Sequence, residues 1–311
     1  VELGAHHPEV AVITAAMSSG TGTGVFGDTY PDRYFDVGIA EGHGVTFAAG
    51  LATQGIRPVA AIYSTFLQRA YDSIIHDVAI QNLPVVFAMD RAGLVGNDGP
   101  THMGLYDIAY LLAVPNLIVT APKDGEEMLA LLRLGVEQTR GPFSLRYPRD
   151  NVPAAVRPLA EIPPVEFGTW EVLRRGRGTA LLAVGTMVYP ALEAARTLES
   201  EGINLSVVNC RFLKPIDEST LEWVISAHDN LVSVEEGTVV NGFGAALAAR
   251  LEDTRREKPN LRLEIMGVPD RVIDHANRDQ QLAEVGLDAH SIAARVRSLV
   301  TPADSARVQS A

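Results

Sequence analysis

The sequence predicts an α/β protein of two domains, each a mostly parallel sheet flanked by helices, and three observations carry that prediction. Ala- and Leu-rich helical stretches alternate with short Val/Ile runs along most of the 311 residues. Those runs are continuous in apolar character, as expected for strands covered on both faces. A stretch with prolines at 153, 158, 163 and 164 and little periodicity separates two such series. At roughly 150 residues per domain the length accommodates two cores.

The elements follow in order. Residues 10–14 form a first strand, 19–24 a glycine-rich loop and 34–37 a second buried strand. A helix over 41–53 is closed by Gly55. A strand at 59–63, a helix at 65–78 and an almost purely apolar strand at 85–90 come next. Strands at 117–120 and 143–146 complete the first sheet, joined by a crossover helix over 124–139 that Asp124 is placed to cap. Domain one is therefore 1–150, the linker 151–164 and domain two 165–311. In the second domain, strands are expected at 180–184, 205–209, 231–234 and 262–266, with helices at 190–201 and 241–251. From Pro302 the residues turn small and polar, so the tail should fray.

Composition narrows the function. A net charge of -12 opposes nucleic acid or an anionic membrane as partner, because a phosphate backbone rewards clustered Lys and Arg. Cys210 is the sole cysteine, which forbids an intramolecular disulfide and suits a reducing compartment; it reads as a small buried residue near a strand end. No run approaches the ~20 apolar residues of a membrane span, and nothing resembles a targeting peptide, so a cytoplasmic location is expected. The chain opens on Val1 and not on methionine, which suggests a cleaved product or a partial chain. No HExxH, Cys-x-x-Cys or clustered Asp/Glu/His spacing offers a metal site. The loop Gly20-Thr-Gly22-Thr-Gly24 has neither the dinucleotide nor the P-loop spacing.

Four stretches carry chemistry: Asp36-Val-Gly-Ile-Ala-Glu41, Tyr63-Ser-Thr-Phe-Leu-Gln-Arg69, Asp90-Arg-Ala-Gly93 and Asp98-Gly-Pro-Thr-His102. By position alone Glu41 is either a helix-start glutamate favoured by the macrodipole or a buried acid able to donate to a heterocycle nitrogen. Phe66, at a strand-to-helix corner, is a core residue or a stacking platform. Arg91 and Arg149 each follow a strand end, where an arginine forms an ordinary ion pair or grips an anion through its planar fork. His102 lies in a turn-rich loop and could move a proton near neutral pH.

Together with Ser19-Gly-Thr-Gly22, these motifs resemble the C-terminal half of the 1-deoxy-D-xylulose 5-phosphate synthases, of the transketolase superfamily, most densely from Met17 to Arg149. The resemblance implies a pyrimidine-binding domain followed by a transketolase C-terminal domain, with thiamine diphosphate as cofactor. Glu41 would activate the aminopyrimidine, Phe66 would stack on it, and Met17 and Ile39 would line it. Tyr63, Arg69, Arg91, Asp98 and Arg149 would surround the phosphate of glyceraldehyde 3-phosphate, with His102 as acid/base and His43 behind the first contacts. The implied reaction joins pyruvate to that aldehyde with loss of CO₂, giving 1-deoxy-D-xylulose 5-phosphate for isoprenoid and thiamine precursors.

Two positions depart from the family: Gly42, usually Gln, and Asp150, usually Gly, which sets a negative charge beside Arg149. The Gly-Asp-Gly motif that would hold Mg²⁺ is absent, so the metal ligands and the N-terminal diphosphate-binding domain are expected outside this chain, leaving it inactive alone. Val234-Glu-Glu-Gly237, Gly242-Phe-Gly244 and Gly267-Val-Pro-Asp270 resemble C-terminal signatures and are assigned to packing and to a homodimer interface. Two other readings stand beside this one: the β subunit of a 2-oxoacid dehydrogenase, which has this length, and a non-catalytic transketolase-like fragment.

Overall fold

Residues 1–300 are described by the computed structural model, so the tail from Pro302 lies outside the described residues. The apolar runs become strands β1 (Val10–Thr14), β2 (Tyr34–Asp36), β3 (Arg57–Tyr63), β4 (Val86–Asp90), β5 (Ile118–Thr120) and β6 (Phe143–Arg146). The second series gives β7 (Glu171–Arg174), β8 (Gly178–Ala183), β9 (Ser206–Asn209), β10 (Phe212–Lys214), β11 (His228–Thr238) and β12 (Arg262–Val268). They form a seven-stranded sheet in the order β10-β5-β6-β4-β3-β1-β2 and a five-stranded sheet in the order β12-β11-β8-β9-β7. Only β10 and β7, each at a sheet edge, run antiparallel to a neighbour. The mostly parallel α/β architecture of both domains is as the sequence predicts.

The helix Glu41–Thr53 has the expected bounds, and Gly55 follows it at φ +84°. Asp124 caps the helix Gly125–Glu137, its carboxylate accepting from Glu127 N at 2.9 Å. Cys210 is fully buried, and that burial pushes its thiol pKa up. Among the described residues no helix is long and apolar enough to cross a membrane.

Two expectations are corrected. The helix over 65–78 is four short pieces, Ser64–Leu67, Gln68–Ala70, Tyr71–Ser73 and a π-helical Ile74–Ala79. Its apolar spacing survives the changes of winding, since Leu67, Ala70, Ile74 and Val78 are all buried. The first sheet is also not completed by its own domain. Its edge is β10, which crosses over from the second domain to pair with β5, Phe212 opposite Thr120. Trp170 Nε1 locks that strand by donating to Phe212 O at 2.7 Å.

Candidate active site

Strands β2, β1, β3 and β4 are parallel neighbours whose carboxyl ends lie level, Thr14 opposite Asp36 and Tyr63 opposite Asp90. Met17, Ile39, Glu41, Phe66, Arg69, Arg91, Asp98 and His102 sit in the loops and helix starts just beyond these ends, Tyr63 is the last residue of β3, and Arg149 follows β6. The carboxyl edge of a parallel sheet is where open α/β folds collect ligands. Asp36 laces two of the loops together, accepting at Oδ1 from Ala16 N at 2.8 Å and Gly38 N at 3.0 Å. Ala16 takes a left-handed backbone at φ +59°, a strained conformation characteristic of sites that surrounding structure over-determines. The next residue, Met17, is half-buried, and Ile39 stands at the rim, 80% exposed.

Glu41 is the first residue of its helix, where the macrodipole favours a negative charge, and it is only 4% exposed. Its Oε1 accepts from Arg69 Nη1 at 2.6 Å. Arg69, expected among the phosphate ligands, bonds to that glutamate through Nη1, with its guanidinium 5.0 Å from the Phe66 ring centroid. Phe66 stacks on Tyr63, centroids 5.5 Å apart and planes 12° apart, and meets His102 edge-on at 5.4 Å. His102 Nδ1 is 2.9 Å from Thr101 Oγ1. Glu41, Arg69, Phe66 and Tyr63 therefore form one continuous row, with His102 against Phe66.

Arg91 extends the row, its guanidinium 3.8 Å from the centroid of the Tyr63 ring. It donates to Gly20 O at 3.2 Å and Asp98 Oδ2 at 3.2 Å, and pairs with Asp90 at 3.1 Å. Arg149 Nη1 reaches Asp98 Oδ1 at 2.9 Å, so one carboxylate bridges two arginines whose positions are 58 residues apart in sequence. Burial pushes the Asp90 carboxyl up, against the pull of Arg91 and Arg149, and burial likewise raises the Tyr63 phenol. A Cβ on Gly20 would fall 1.9 Å from Tyr63 Oη, which explains the glycine there. A cavity of about 610 Å³ opens from Arg91 and Arg149 toward Lys123, Thr186 and Arg278 of the interdomain cleft.

One of the two departures from the resembled family has a local explanation. Asp150 turns to Arg278 Nη1 at 2.6 Å, so its charge is neutralised by the second domain. A Cβ on Gly42 would lie 3.8 Å from Arg69 O, placing that position against the 64–73 segment. His43 and His76 are exposed and hydrogen-bond to none of the row; His76 Nδ1 is bound to Asp77 at 2.9 Å. Asp36, Gly20 and Asp90 were not singled out from the sequence as site residues. Asp90 ends a predicted strand and Asp36 lies one residue before the end of another, the one signal that could have found them.

The donor set fits half of a cofactor. A buried carboxylate with one oxygen engaged, beside a half-buried phenyl ring, suits an aminopyrimidine that needs one hydrogen-bond partner and one stacking face. Among the described residues, no group of three or more His, Cys, Asp or Glu side chains could hold a metal ion.

Two family models match the chain. Residues 1–155 match the family model "Transketolase, pyrimidine binding domain", and residues 168–292 match "Transketolase, C-terminal domain". The chain is 51% identical over 297 residues to a 1-deoxy-D-xylulose-5-phosphate synthase of Aquifex aeolicus, covering 96% of this chain and 46% of that protein. It is 49% identical over 298 residues to that of Trichormus variabilis, covering 95% of this chain and 46% of the relative. The chain thus spans about half the length of these curated relatives. Among solved structures, a split-gene transketolase described as an inactive β4 tetramer superposes with a TM-score of 0.83 at 32% identity, covering 96% of this chain and 93% of its own. A mutant transketolase of Pichia stipitis shares the fold, with a TM-score of 0.73 at 20% identity, over 94% of this chain and 43% of its own.

Proposed function

The chain belongs to the transketolase family, and from that premise we propose that it supplies the pyrimidine-binding and acceptor-binding half of a 1-deoxy-D-xylulose 5-phosphate synthase. The observation that carries this reading is the single row running from buried Glu41 through Phe66 and Tyr63 to the Arg91–Asp98–Arg149 bridge. It sets a cofactor-activating carboxylate and an anion site side by side. In this reading 1–150 is the pyrimidine-binding domain, 151–164 the linker and the remainder the C-terminal domain.

Thiamine diphosphate, when bound, would supply the thiazolium carbon that takes the two-carbon unit of pyruvate as CO₂ leaves. Glu41 would hold a proton at the aminopyrimidine nitrogen, Phe66 would stack on the ring, and Met17 and Ile39 would line it. Arg69 keeps Glu41 in place. Arg91 and Arg149 bind the phosphate of D-glyceraldehyde 3-phosphate with Tyr63 and Asp98 beside them, and His102, against the edge of Phe66, is placed to pass a proton to the acceptor carbonyl. Magnesium and the diphosphate belong to a diphosphate-binding domain that faces this one. A cytoplasmic homodimer completes the proposal, and the charge of -12 argues against nucleic acid or membrane partners.

A 2-oxoacid dehydrogenase β subunit delivers to a lipoyl group and has no use for two arginines on one carboxylate. The discriminating experiment mixes the chain with a diphosphate-binding half, thiamine diphosphate, Mg²⁺ and pyruvate, then offers glyceraldehyde 3-phosphate or lipoamide. Formation of 1-deoxy-D-xylulose 5-phosphate only by the mixture supports the proposal. Acetyl transfer to lipoamide alone favours the dehydrogenase, and turnover by the isolated chain refutes the divided site.

A further inference from the structure

The loop between β4 and the helix Asp107–Leu112 carries Arg91, Asp98 and His102, yet the second domain holds it. Its apolar residues Leu94, Val95, Met103 and Leu105 are buried in the core of the second sheet, with Val232 and Val234. Its backbone is tied to the same domain. Glu236 Oε1 accepts from Leu94 N at 2.9 Å, and Gln281 Oε1 accepts from Gly96 N at 2.9 Å. Gln281 Nε2 donates to Asp274 O at 2.9 Å and Gly96 O at 3.4 Å, while Thr238 N donates to Leu105 O at 2.9 Å. Arg278 neutralises Glu236 through Nη2 at 2.5 Å and Nε at 3.2 Å. Glu236 and Gln281 are 2% and 0% exposed, a costly place for polar side chains unless their bonds are made. Gly93, at φ +85°, admits the approach: a Cβ there would meet Glu236 Cδ at 2.6 Å.

We propose that Glu236 and Gln281 are positioning residues, through which the C-terminal domain sets the place of the acceptor-binding loop. The inference rests on the acceptor reading of Arg91, Asp98 and His102 and gives a task to a stretch that resemblance alone assigned to packing. The two tied amides flank Val95, three residues beyond Arg91 and two before Asp98. Between them they hold Arg91 in its left-handed backbone, φ +58°, and hold Asp98 where it can bridge to Arg149. The second domain thus acts on the acceptor side, while Glu41 and Phe66 lie in helices of the first.

The test is amide hydrogen exchange of the whole chain by mass spectrometry, with binding of D-glyceraldehyde 3-phosphate as second readout. Gln281→Ala leaves the Gly96 amide without its partner, so peptides within 91–104 should exchange about tenfold faster or more, with β1 and β8 peptides unchanged. Aldehyde binding should weaken about tenfold. Gln281→Met, which keeps the bulk of the side chain but offers Gly96 N no oxygen, should speed exchange and weaken binding as Gln281→Ala does. Unaltered exchange in 91–104, or an acceleration shared by the whole chain in both variants, overturns the proposal. Should wild type bind no glyceraldehyde 3-phosphate, the acceptor reading fails while the loop exchange still decides the tether.

Discussion

Removing the Arg149 guanidinium separates phosphate binding from stability. Its side chain is 49% exposed and its hydrogen bond goes to Asp98, whereas the Arg91 side chain is 12% exposed and engages Gly20 O, Asp90, Asp98 and the Tyr63 ring. An exposed ion pair is worth about 0–1 kcal/mol, so Arg149→Ala should leave unfolding within about 1 kcal/mol of wild type. A lost charge-assisted bond to phosphate costs about 1.5–3 kcal/mol, equivalent to roughly 10–150-fold in affinity. Arg149→Lys keeps the charge but not the fork and should recover part of that loss. Arg91→Ala should lose both affinity and stability. Calorimetric titration with D-glyceraldehyde 3-phosphate, and with D-glyceraldehyde as the ligand lacking phosphate, reads the difference. Unchanged affinity in Arg149→Ala, or an equal loss for both ligands, would refute the assignment of this arginine to phosphate.

Three further outcomes follow from buried groups. Arg146, buried, donates to Asp107 at 2.8 Å and to the carbonyls of Glu236 at 3.0 Å and Gly104 at 3.3 Å, so Arg146→Met should cost about 3–5 kcal/mol in urea unfolding. Adding Asp107→Leu should return much of it, and a double variant no more stable than the single contradicts the account. Burial pushes Glu235 up to about 7 from 4.5, although it accepts from Phe243 N and Gly244 N at 2.8 Å each. Because the folded value is the higher one, the protonated acid favours the fold: its contribution is present below about 4.5 and lost as pH rises through 7. The loss is on the order of 3 kcal/mol, and Glu235→Gln should remove it; identical pH profiles for both proteins would sink the prediction. The Cys210 thiol should resist a thiol reagent until the chain is denatured, since it is buried and its pKa is raised.

What the sequence made legible was local. The helix Glu41–Thr53 and the strand Phe143–Arg146 were readable because their patterns lie within a dozen residues and end at a glycine or a proline. Strand β10 was not, because three residues carry no period and its partner lies about 90 positions earlier. The winding of 64–79 escaped for another reason: burial of Leu67, Ala70, Ile74 and Val78 is the same whether turns are α, 3₁₀ or π. The site residues were nameable one by one through motifs, but their pairings were not. Nothing in spacing announces that Arg69 meets Glu41, that Asp98 joins Arg91 to Arg149, or that Glu236 and Gln281 reach back 142 and 185 positions to the acceptor loop.

The central claim is that Glu41 activates the cofactor from this half of a divided site. Its most direct test is the rate at which thiamine diphosphate loses its C2 proton to deuterated water, measured with the chain plus a diphosphate-binding half, for wild type against Glu41→Gln. The account predicts a fall of about 10²–10⁴-fold with unfolding little changed. An unaltered exchange rate in Glu41→Gln would contradict it.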